Sequence, residues 1–197
     1  MRPAFIIRHM FKLGIVIASV REGRVGRPVA EWCADRARRY ARFDVEVIDL
    51  KDLDLPVLAE RNHPRLRQYE SDKQKAWSAV VAGIDAFVFV TPEYNHGTAP
   101  ALVNALDYLY VEWNYKAAAF VSYGGMSGGM RAVQMTEQSL TALKMVPIVE
   151  AVPIPFVAQA IDREAGVFKA SEQQDNAAAT MFNELHRWTT ALASLRV

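Results

Sequence analysis

The chain has 197 residues, 51% of them apolar, and its basic and acidic side chains nearly cancel to a net charge of +1. This length fits one domain with a substantial core, and the near-neutral balance argues against a nucleic-acid binder held by a broad basic face. The single cysteine, Cys33, excludes an intrachain disulfide framework and a cysteine-based metal cluster, and a reducing cytoplasm is the expected compartment.

Residues 1–9 are predicted to be an N-terminal extension, disordered or loosely attached, ahead of a domain that spans 10–197. The segment has no apolar stretch of the length a signal peptide needs and no small-residue cleavage site. Met10, directly before the first apolar run, is a second candidate start. No stretch approaches the ~20 apolar residues that a membrane span requires, so no membrane association is expected.

From Met10 onwards the chain alternates between apolar runs and helical patterns. The run 12–19 is rich in β-branched residues, 44–50 begins with the alternation typical of an edge strand, and 85–91 indicates a strand buried on both faces. Two more strands are predicted at 116–123 and 146–152. Helices are predicted at 27–41, at 72–84 with Ser71 as N-cap, and at 100–113, 131–145 and 172–195.

This order of elements predicts an α/β domain with a five-stranded parallel sheet covered by helices on both faces. The strand order 2-1-3-4-5 is expected. Ligands bind such sheets beyond the carboxyl ends of the strands where the order reverses, here strands 1 and 3. The loops after strands 1, 3 and 4 are therefore the candidate functional regions.

The loop after strand 1, SVREGRVGRPVAEW, has the parts of a phosphate site although it lacks the dinucleotide and Walker fingerprints. Gly23 and Gly26 let the backbone turn, Ser19 offers a hydroxyl, and the next helix aims its amino end at the loop. Guanidinium groups that suit a phosphate monoester belong to Arg21, Arg24 and Arg27. The alternative is that the three arginines of a surface loop are simply solvated.

The loop after strand 3, TPEYNHGTAP, places four hydrogen-bonding side chains in consecutive positions, Glu93, Tyr94, Asn95 and His96. Pro92 stiffens the strand exit, and Gly97 is expected to permit a tight turn into the helix. Such a rigid loop could hold a flat heteroaromatic edge through its backbone. The plainer alternatives are a cap by Thr98, an ion pair between Glu93 and an arginine, and a structural His96.

The loop after strand 4, SYGGMSGGMR, has glycine at four of six positions, Gly124, Gly125, Gly128 and Gly129. A backbone so little covered by side chains favours close approach to a planar ligand. The alternative is a loop that only connects the strand to its helix.

The motifs SVREGRVG, TPEYNHGTAPALVNALDYLY and YGGMSGG resemble those of the NAD(P)H-dependent FMN reductase family, whose members have a flavodoxin-like fold. The resemblance spans roughly residues 12–155, and the middle motif is highly specific. A further pattern is similar to the branch that contains the yeast flavin-dependent quinone reductase, and it comprises Tyr110, Glu112, Trp113, Lys116, residues 122–125 and residues 143–145.

The resemblance implies a bound FMN, NADPH or NADH as the electron donor, and ping-pong hydride transfer through the flavin N5 to a quinone, a free flavin or a similar acceptor. The first loop would hold the phosphate and ribityl chain, and the other two would line the ring. The cofactor-binding residues implied are Ser19, Arg21, Arg24, Val25, Gly26, Arg27, Pro92, Glu93, Tyr94, Asn95, His96, Tyr123, Gly124 and Gly125. Many relatives have Ser where this chain has Arg24, so Arg24 would supply charge instead of a hydroxyl.

No catalytic side chain is assigned, because the cofactor carries the redox chemistry. No metal site is assigned either, because no Asp/His set of suitable spacing lies at the strand ends. The remaining alternative is a non-catalytic flavin-binding electron carrier or sensor of the same fold. The near-neutral charge counts against a carrier, since flavodoxins are usually strongly acidic.

The helix predicted at 100–113 suggests an oligomer. Most of its stripe of Leu102, Leu106, Leu109 and Trp113 is expected to be core. Three aromatic residues exceed what one buried face needs, namely Tyr108, Tyr110 and Trp113. Because the family commonly pairs this helix across a two-fold axis, a homodimer or a dimer of dimers is expected.

Overall fold

The computed structural model of the protein describes residues 10–196. The predicted extension at 1–9 lies outside the described residues. The rest of the predicted domain contains one large parallel sheet with helices on both faces.

The central sheet has five parallel strands in the order β2-β1-β3-β4-β5, which confirms the predicted topology. β2 is an edge strand, and β3 and β4 are buried along their whole length because both of their faces are covered. The strands are β1 (Phe11–Ile17), β2 (Phe43–Asp49), β3 (Ala86–Pro92), β4 (Ala117–Tyr123) and β5 (Val146–Ile154).

Two helices cover one face of the sheet and three cover the other, with an apolar core on each side. The core under α1 and α6 contains Val29 and Phe182, and the core under α3, α4 and α5 contains Trp77, Leu102 and Leu140. The helices are α1 (Gly26–Tyr40), α2 (Leu50–Leu53), α3 (Asp72–Ala82), α4 (Pro100–Asp107), α5 (Met130–Ala142) and α6 (Glu172–Leu192). Short 3₁₀ helices occur at Pro64–Leu66, Val111–Trp113, Val157–Gln159 and Ala193–Leu195.

Helix α4 ends at Asp107, well before the predicted end at 113, and a separate 3₁₀ turn follows at Val111–Trp113. Side chains outside α4 donate to backbone carbonyl groups that would accept intrahelical hydrogen bonds if the helix were longer. The indole of Trp77 donates to Ala105 O at 2.8 Å, and the indole of Trp113 donates to Leu106 O at 3.1 Å. Gln74 donates to Tyr108 O at 2.9 Å, so tertiary hydrogen bonds override the helical pattern at this point.

The aromatic argument for a dimer along this segment is wrong. Tyr108 and Trp113 are both buried in the core of their own chain, and the Tyr108 hydroxyl donates to Pro56 O at 3.0 Å. Tyr110 lies under the guanidinium of Arg65, 4.3 Å from ring centroid to Cζ. No surplus aromatic face is left here, whereas the stripe of leucines is buried as predicted.

A small β-hairpin that the sequence did not reveal lies between β5 and α6. Its strands are β6 (Ile161–Asp162) and β7 (Val167–Phe168), and the turn contains Gly166 at φ +67°. The ring of Phe168 meets Trp32 of α1 edge-on, with centroids 5.3 Å apart. The hairpin therefore stands beside the amino-terminal half of α1.

Candidate functional site

The loops after β1, β3 and β4 meet at one cleft of about 160 Å³, at the carboxyl edge of the sheet. The cleft is lined by Ser19, Arg21, Glu22, Gly23, Arg24, Val25, Pro92, Tyr94 and Tyr123. The guanidinium carbon of Arg21 lies 5.6 Å from the centroid of the Tyr94 ring. Residues more than 70 positions apart thus share one rim, as the predicted strand order requires.

Ser19 and Tyr123 form the floor of this cleft. Both residues are almost fully buried, and the Tyr123 hydroxyl donates to Ser19 Oγ at 3.0 Å. Burial raises the pKa of Tyr123 well above its ordinary value, so the phenol stays protonated and neutral. A Cβ on Gly26 would clash with Ser19 Oγ and lie 2.5 Å from the Tyr123 hydroxyl, so only glycine fits where α1 meets this floor.

Two of the three arginines predicted to face a phosphate are held by Asp49 instead. Arg24 donates to both carboxylate oxygens of Asp49, at 2.6 and 2.5 Å, and also to the Ser19 carbonyl. Arg27 donates to the same carboxylate at 2.6 Å. Arg21 has no ion pair within residues 10–196, and it is the free cation of this loop.

Asp49 is the residue that the sequence analysis missed. It ends β2, its side chain is 6% exposed, and it also accepts from the Lys51 amide at 3.0 Å. Burial raises the pKa of Asp49, but the hydrogen bonds from Arg24 and Lys51 outweigh burial, so the pKa lies below its usual value. The available signal was a carboxylate at the end of the strand next to β1, where the topology brings it beside the first loop.

The backbone of the first loop offers further donors. Within the described chain, the N–H groups of Gly23, Val25 and Gly26 donate no hydrogen bond. α1 has no side-chain cap at Val25 and no acidic residue in its first turn. Its amino end is therefore a positive pole that no group among residues 10–196 satisfies.

The loop after β3 makes its tight turn at residues other than the predicted one. Tyr94 and Gly97 exchange two backbone hydrogen bonds, at 3.1 and 2.8 Å, around Asn95 and His96. Asn95 and His96 have φ values of +49° and +66°, the geometry of a type I′ turn, whereas Gly97 has no positive φ. Both turn side chains are exposed at the rim of the loop.

Thr98 does not cap α4, so that alternative is wrong. The N-cap is Ala99, without a side-chain hydrogen bond, and the Thr98 hydroxyl lies 2.9 Å from the Thr136 hydroxyl on α5. Thr98 therefore joins the loop to α5.

Glu93 pairs with an arginine, as one of the alternatives stated, and so connects the second and third loops. Its carboxylate accepts from the Ser127 hydroxyl at 2.9 Å, from the Arg131 amide at 3.1 Å, and from the Arg131 guanidinium at 2.7 and 2.5 Å. Burial raises the pKa of Glu93, and the hydrogen bonds from Arg131 and Ser127 lower it by more, so the group stays ionised. Glu93 fixes the two loops relative to each other and does not line the cleft.

Three of the four glycines of the third loop divide into two kinds. Gly128 and Gly129 have φ values of +60° and +85°, and a Cβ on Gly129 would lie 2.7 Å from Tyr123 N, so the chain itself requires them. A Cβ on Gly125 would meet no atom within 4 Å. Gly125 is thus the glycine with free space beside it, as close approach to a ligand needs.

Within residues 10–196, no group of three or more His, Cys, Asp or Glu side chains could hold a metal ion. None of the helices in the same range is long and apolar enough to cross a membrane.

Comparison with known proteins gives consistent matches. The family model described as NADPH-dependent FMN reductase matches residues 11–159. An NAD(P)H-dependent FMN reductase of Schizosaccharomyces pombe is 36% identical over 156 residues, 78% of each chain. One of Saccharomyces cerevisiae is 34% identical over 145 residues, 68% of this chain and 75% of the relative, which confirms the predicted yeast branch.

Among solved structures, the flavoenzyme NAD(P)H:(acceptor) oxidoreductase FerB from Paracoccus denitrificans superposes with a TM-score of 0.72. The superposition covers 92% of this chain and 98% of that chain at 19% sequence identity. At this identity the likeness concerns the fold, and it agrees with the predicted flavodoxin-like architecture.

Proposed function

Because this chain belongs to the NADPH-dependent FMN reductase family, we propose that it is an NAD(P)H-dependent FMN-containing oxidoreductase that works by a ping-pong cycle. Membership makes it a flavin-using oxidoreductase with a nicotinamide dinucleotide as donor. The acceptor we propose is a quinone, a free flavin or a similar small molecule.

The observation that carries the proposal is the convergence of three crossover loops on one cleft. The contacts between Arg21 and Tyr94, between Tyr123 and Ser19, and between Glu93 and Arg131 connect the loops in pairs. Such a cleft at the switch point between β1 and β3 is where this topology binds ligands.

The residues of the cleft fit a flavin mononucleotide. The free guanidinium of Arg21 and the unpaired amides of Gly23, Val25 and Gly26 suit a phosphate dianion. Arg24 and Arg27 both bind Asp49 and so hold this loop in place. We propose that they favour phosphate binding indirectly, by fixing the shape of the loop and adding to its positive charge. A bound FMN would supply the redox chemistry, with NAD(P)H as the hydride donor and the small-molecule acceptor as the final oxidant.

The second and third loops suit the flat ring. Pro92 and Tyr94 line the cleft on one side, and Asn95 and His96 present polar groups at the rim. Tyr123 lines the other side, and beyond it Gly125 leaves open space beside the backbone. Glu22 is the carboxylate that lines the cleft, and it pairs with Lys51 at 2.6 Å. Glu93 faces Arg131 and Asp49 faces Arg24, so each of these three negative charges is balanced by a cation of the chain.

We assign no catalytic side chain. The neutral Tyr123 hydroxyl donates its hydrogen bond to Ser19 Oγ, and its role is to hold the floor of the cleft in place. Arg21 and the amino end of α1 provide a positive potential that favours a negatively charged bound group. The protein thus binds and orients, and the cofactor does the chemistry.

Two further parts of the proposal concern assembly and compartment. A homodimer or dimer of dimers stays a prediction, although the surplus of aromatic residues no longer argues for it. Exposed apolar side chains now support this prediction, namely Met126 in the loop after β4, Met130 at the start of α5 and Phe156 just after β5. A cytoplasmic location also stays a prediction, supported by the single buried cysteine.

Steady-state kinetics with two substrates test the proposal. The FMN-loaded protein, without any added reductase, is expected to oxidise NADPH or NADH continuously when a soluble benzoquinone is supplied. Varying donor and quinone together should give parallel double-reciprocal lines, because donor and acceptor would use the same cleft in turn.

Intersecting lines would contradict the ping-pong scheme but leave the reductase assignment in place. A single stoichiometric reduction of the flavin, with no turnover on adding quinone, would instead favour the electron carrier. A purified protein that takes up no FMN would favour a sensor or binding module for another ligand.

A further inference from the structure

A second, larger cleft opens on the other side of the first loop. It has a volume of about 470 Å³ and lies between the loop Gly23–Val25, the start of α1 at Pro28, and the β6–β7 hairpin. Gly23, Arg24 and Val25 line both this cleft and the cofactor cleft. The two clefts are therefore separated only by the loop that carries the unpaired amides.

The walls of this second cleft suit a flat, apolar ring. Val25 and Pro28 lie on one side, and Ala158 and Ile161 on the other. Both glycines on its rim leave open space, since a Cβ on Gly23 or on Gly166 would meet no atom within 4 Å.

Its charge suits a phosphate. Arg163, in the turn of the hairpin, lines the cleft and has no salt bridge with any residue of the described range 10–196. The carboxylate of the neighbouring Asp162 forms an ion pair with Lys169 at 2.8 Å and accepts hydrogen bonds from two backbone amides of the turn. No Asp or Glu lines the cleft, and Arg24 on its inner edge is already neutralised by Asp49.

We propose that this cleft binds the 2′-phosphoadenosine end of NADPH, with the guanidinium of Arg163 on the 2′-phosphate. The inference rests on the proposed function, because it places the donor's remote end beside a cofactor cleft. An unpaired arginine is the group that distinguishes the 2′-phosphate of NADPH from the 2′-hydroxyl of NADH, and apolar walls suit the adenine. The protein would accordingly prefer NADPH.

The first test is equilibrium binding, without turnover. 2′,5′-ADP and 5′-AMP are titrated into the FMN-loaded protein by calorimetry, for wild type, Arg163→Ala and Arg163→Lys. Wild type should bind 2′,5′-ADP more tightly than 5′-AMP. Arg163→Ala should weaken the binding of 2′,5′-ADP roughly tenfold or more, since a hydrogen bond between two charged groups is lost. The affinity for 5′-AMP should stay unchanged. Arg163→Lys should recover part of the difference.

Arg38→Ala is the matched control. Arg38 is an exposed arginine in the last turn of α1, the helix that begins beside the cleft, and it lies ten residues beyond Pro28. In kinetics, Arg163→Ala should raise KM for NADPH and leave kcat and the KM for NADH unaltered. Equal binding of 2′,5′-ADP and 5′-AMP by wild type, or the same 2′,5′-ADP affinity in Arg163→Ala and wild type, overturns the inference. A wild type that oxidises neither nucleotide would instead overturn the proposed function, whatever the binding data give.

Discussion

Gly26 lies against the floor of the cleft and Gly125 lies in the loop after β4, and a side chain would meet different surroundings at each. At Gly26 a Cβ would press on the Ser19 and Tyr123 oxygens that form the floor. At Gly125 a Cβ would meet no atom of the described chain within 4 Å, and the backbone φ is not positive. One glycine is required by the fold, and the other has open space beside it.

These two glycines give a matched pair of substitutions. Gly26→Ala should lower the free energy of unfolding by about 1–3 kcal/mol, because it overpacks a buried contact. Gly125→Ala should leave that free energy within about 0.5 kcal/mol of wild type but weaken FMN binding. Urea unfolding and FMN titration by flavin fluorescence measure the two effects. Unchanged FMN affinity in Gly125→Ala would show that the ring does not approach this backbone.

Individual roles within the first loop were beyond what the sequence could reveal. Three arginines in seven residues predict a phosphate site, but which of them is free depends on Asp49. Asp49 lies more than twenty positions away and reaches the loop only through the sheet. The turn at Asn95 and His96 is a similar case. Both residues tolerate a positive φ, yet the neighbouring Gly97 is the stronger sequence signal for a tight turn.

Among the elements, β2 has a role beyond its place at the sheet edge. Its last residue, Asp49, holds Arg24, and Arg24 in turn holds the Ser19 carbonyl at the end of β1. The edge strand thus fixes the shape of the loop after β1. Arg24 and Asp49 have side chains only 11% and 6% exposed, so their pairing is more costly to break than a surface ion pair.

Asp49→Asn should destabilise the protein by about 2 kcal/mol, because the partly buried Arg24 loses its counter-charge while the amide oxygen still accepts from the Lys51 amide. It should also weaken FMN binding by loosening the loop. Asp52→Asn is the control. Asp52 is 72% exposed and 3.4 Å from Arg27, so its loss should cost less than about 0.5 kcal/mol.

The effect of Asp49 has a defined pH dependence. Since the folded-state pKa lies below the unfolded value, the stabilisation is fully present above the unfolded pKa of about 4 and is lost as pH falls through the folded pKa. Urea unfolding at pH 7 and at pH 3 should therefore give a smaller difference between wild type and Asp49→Asn at the lower pH. A difference that is the same at both values would assign the effect to packing and not to charge.

The long elements were predictable and the short ones were not. Five apolar runs separated by helical patterns give the strands to within a few residues, because burial on both faces leaves little choice of residue type. The β6–β7 hairpin has only two residues in each strand, which is too short for a period to be read. The early end of α4 depends on donors from Gln74 and Trp77, which no local pattern contains.

At the scale of the whole molecule, topology explains why distant motifs form one site. Parallel strands in the order 2-1-3-4-5 bring the ends of β1, β3 and β4 to the same edge, so loops separated by tens of residues face each other. The sequence therefore predicted the place of the cleft and most of its lining. It could not predict the ion pairs within the cleft or the second cleft beside the hairpin, because both arise from tertiary contacts.

The central claim is that the Arg21 side chain and the loop amides hold the phosphate of a flavin mononucleotide. The most direct measurement is the ratio of dissociation constants for riboflavin and FMN, compared between wild type, Arg21→Ala and the control Arg38→Ala. Wild type and the control should prefer FMN by tenfold or more, and Arg21→Ala should reduce that preference by roughly tenfold, as expected for losing a charge-assisted contact to phosphate. Equal affinity of wild type for riboflavin and FMN, or an unchanged ratio in Arg21→Ala, would contradict the account.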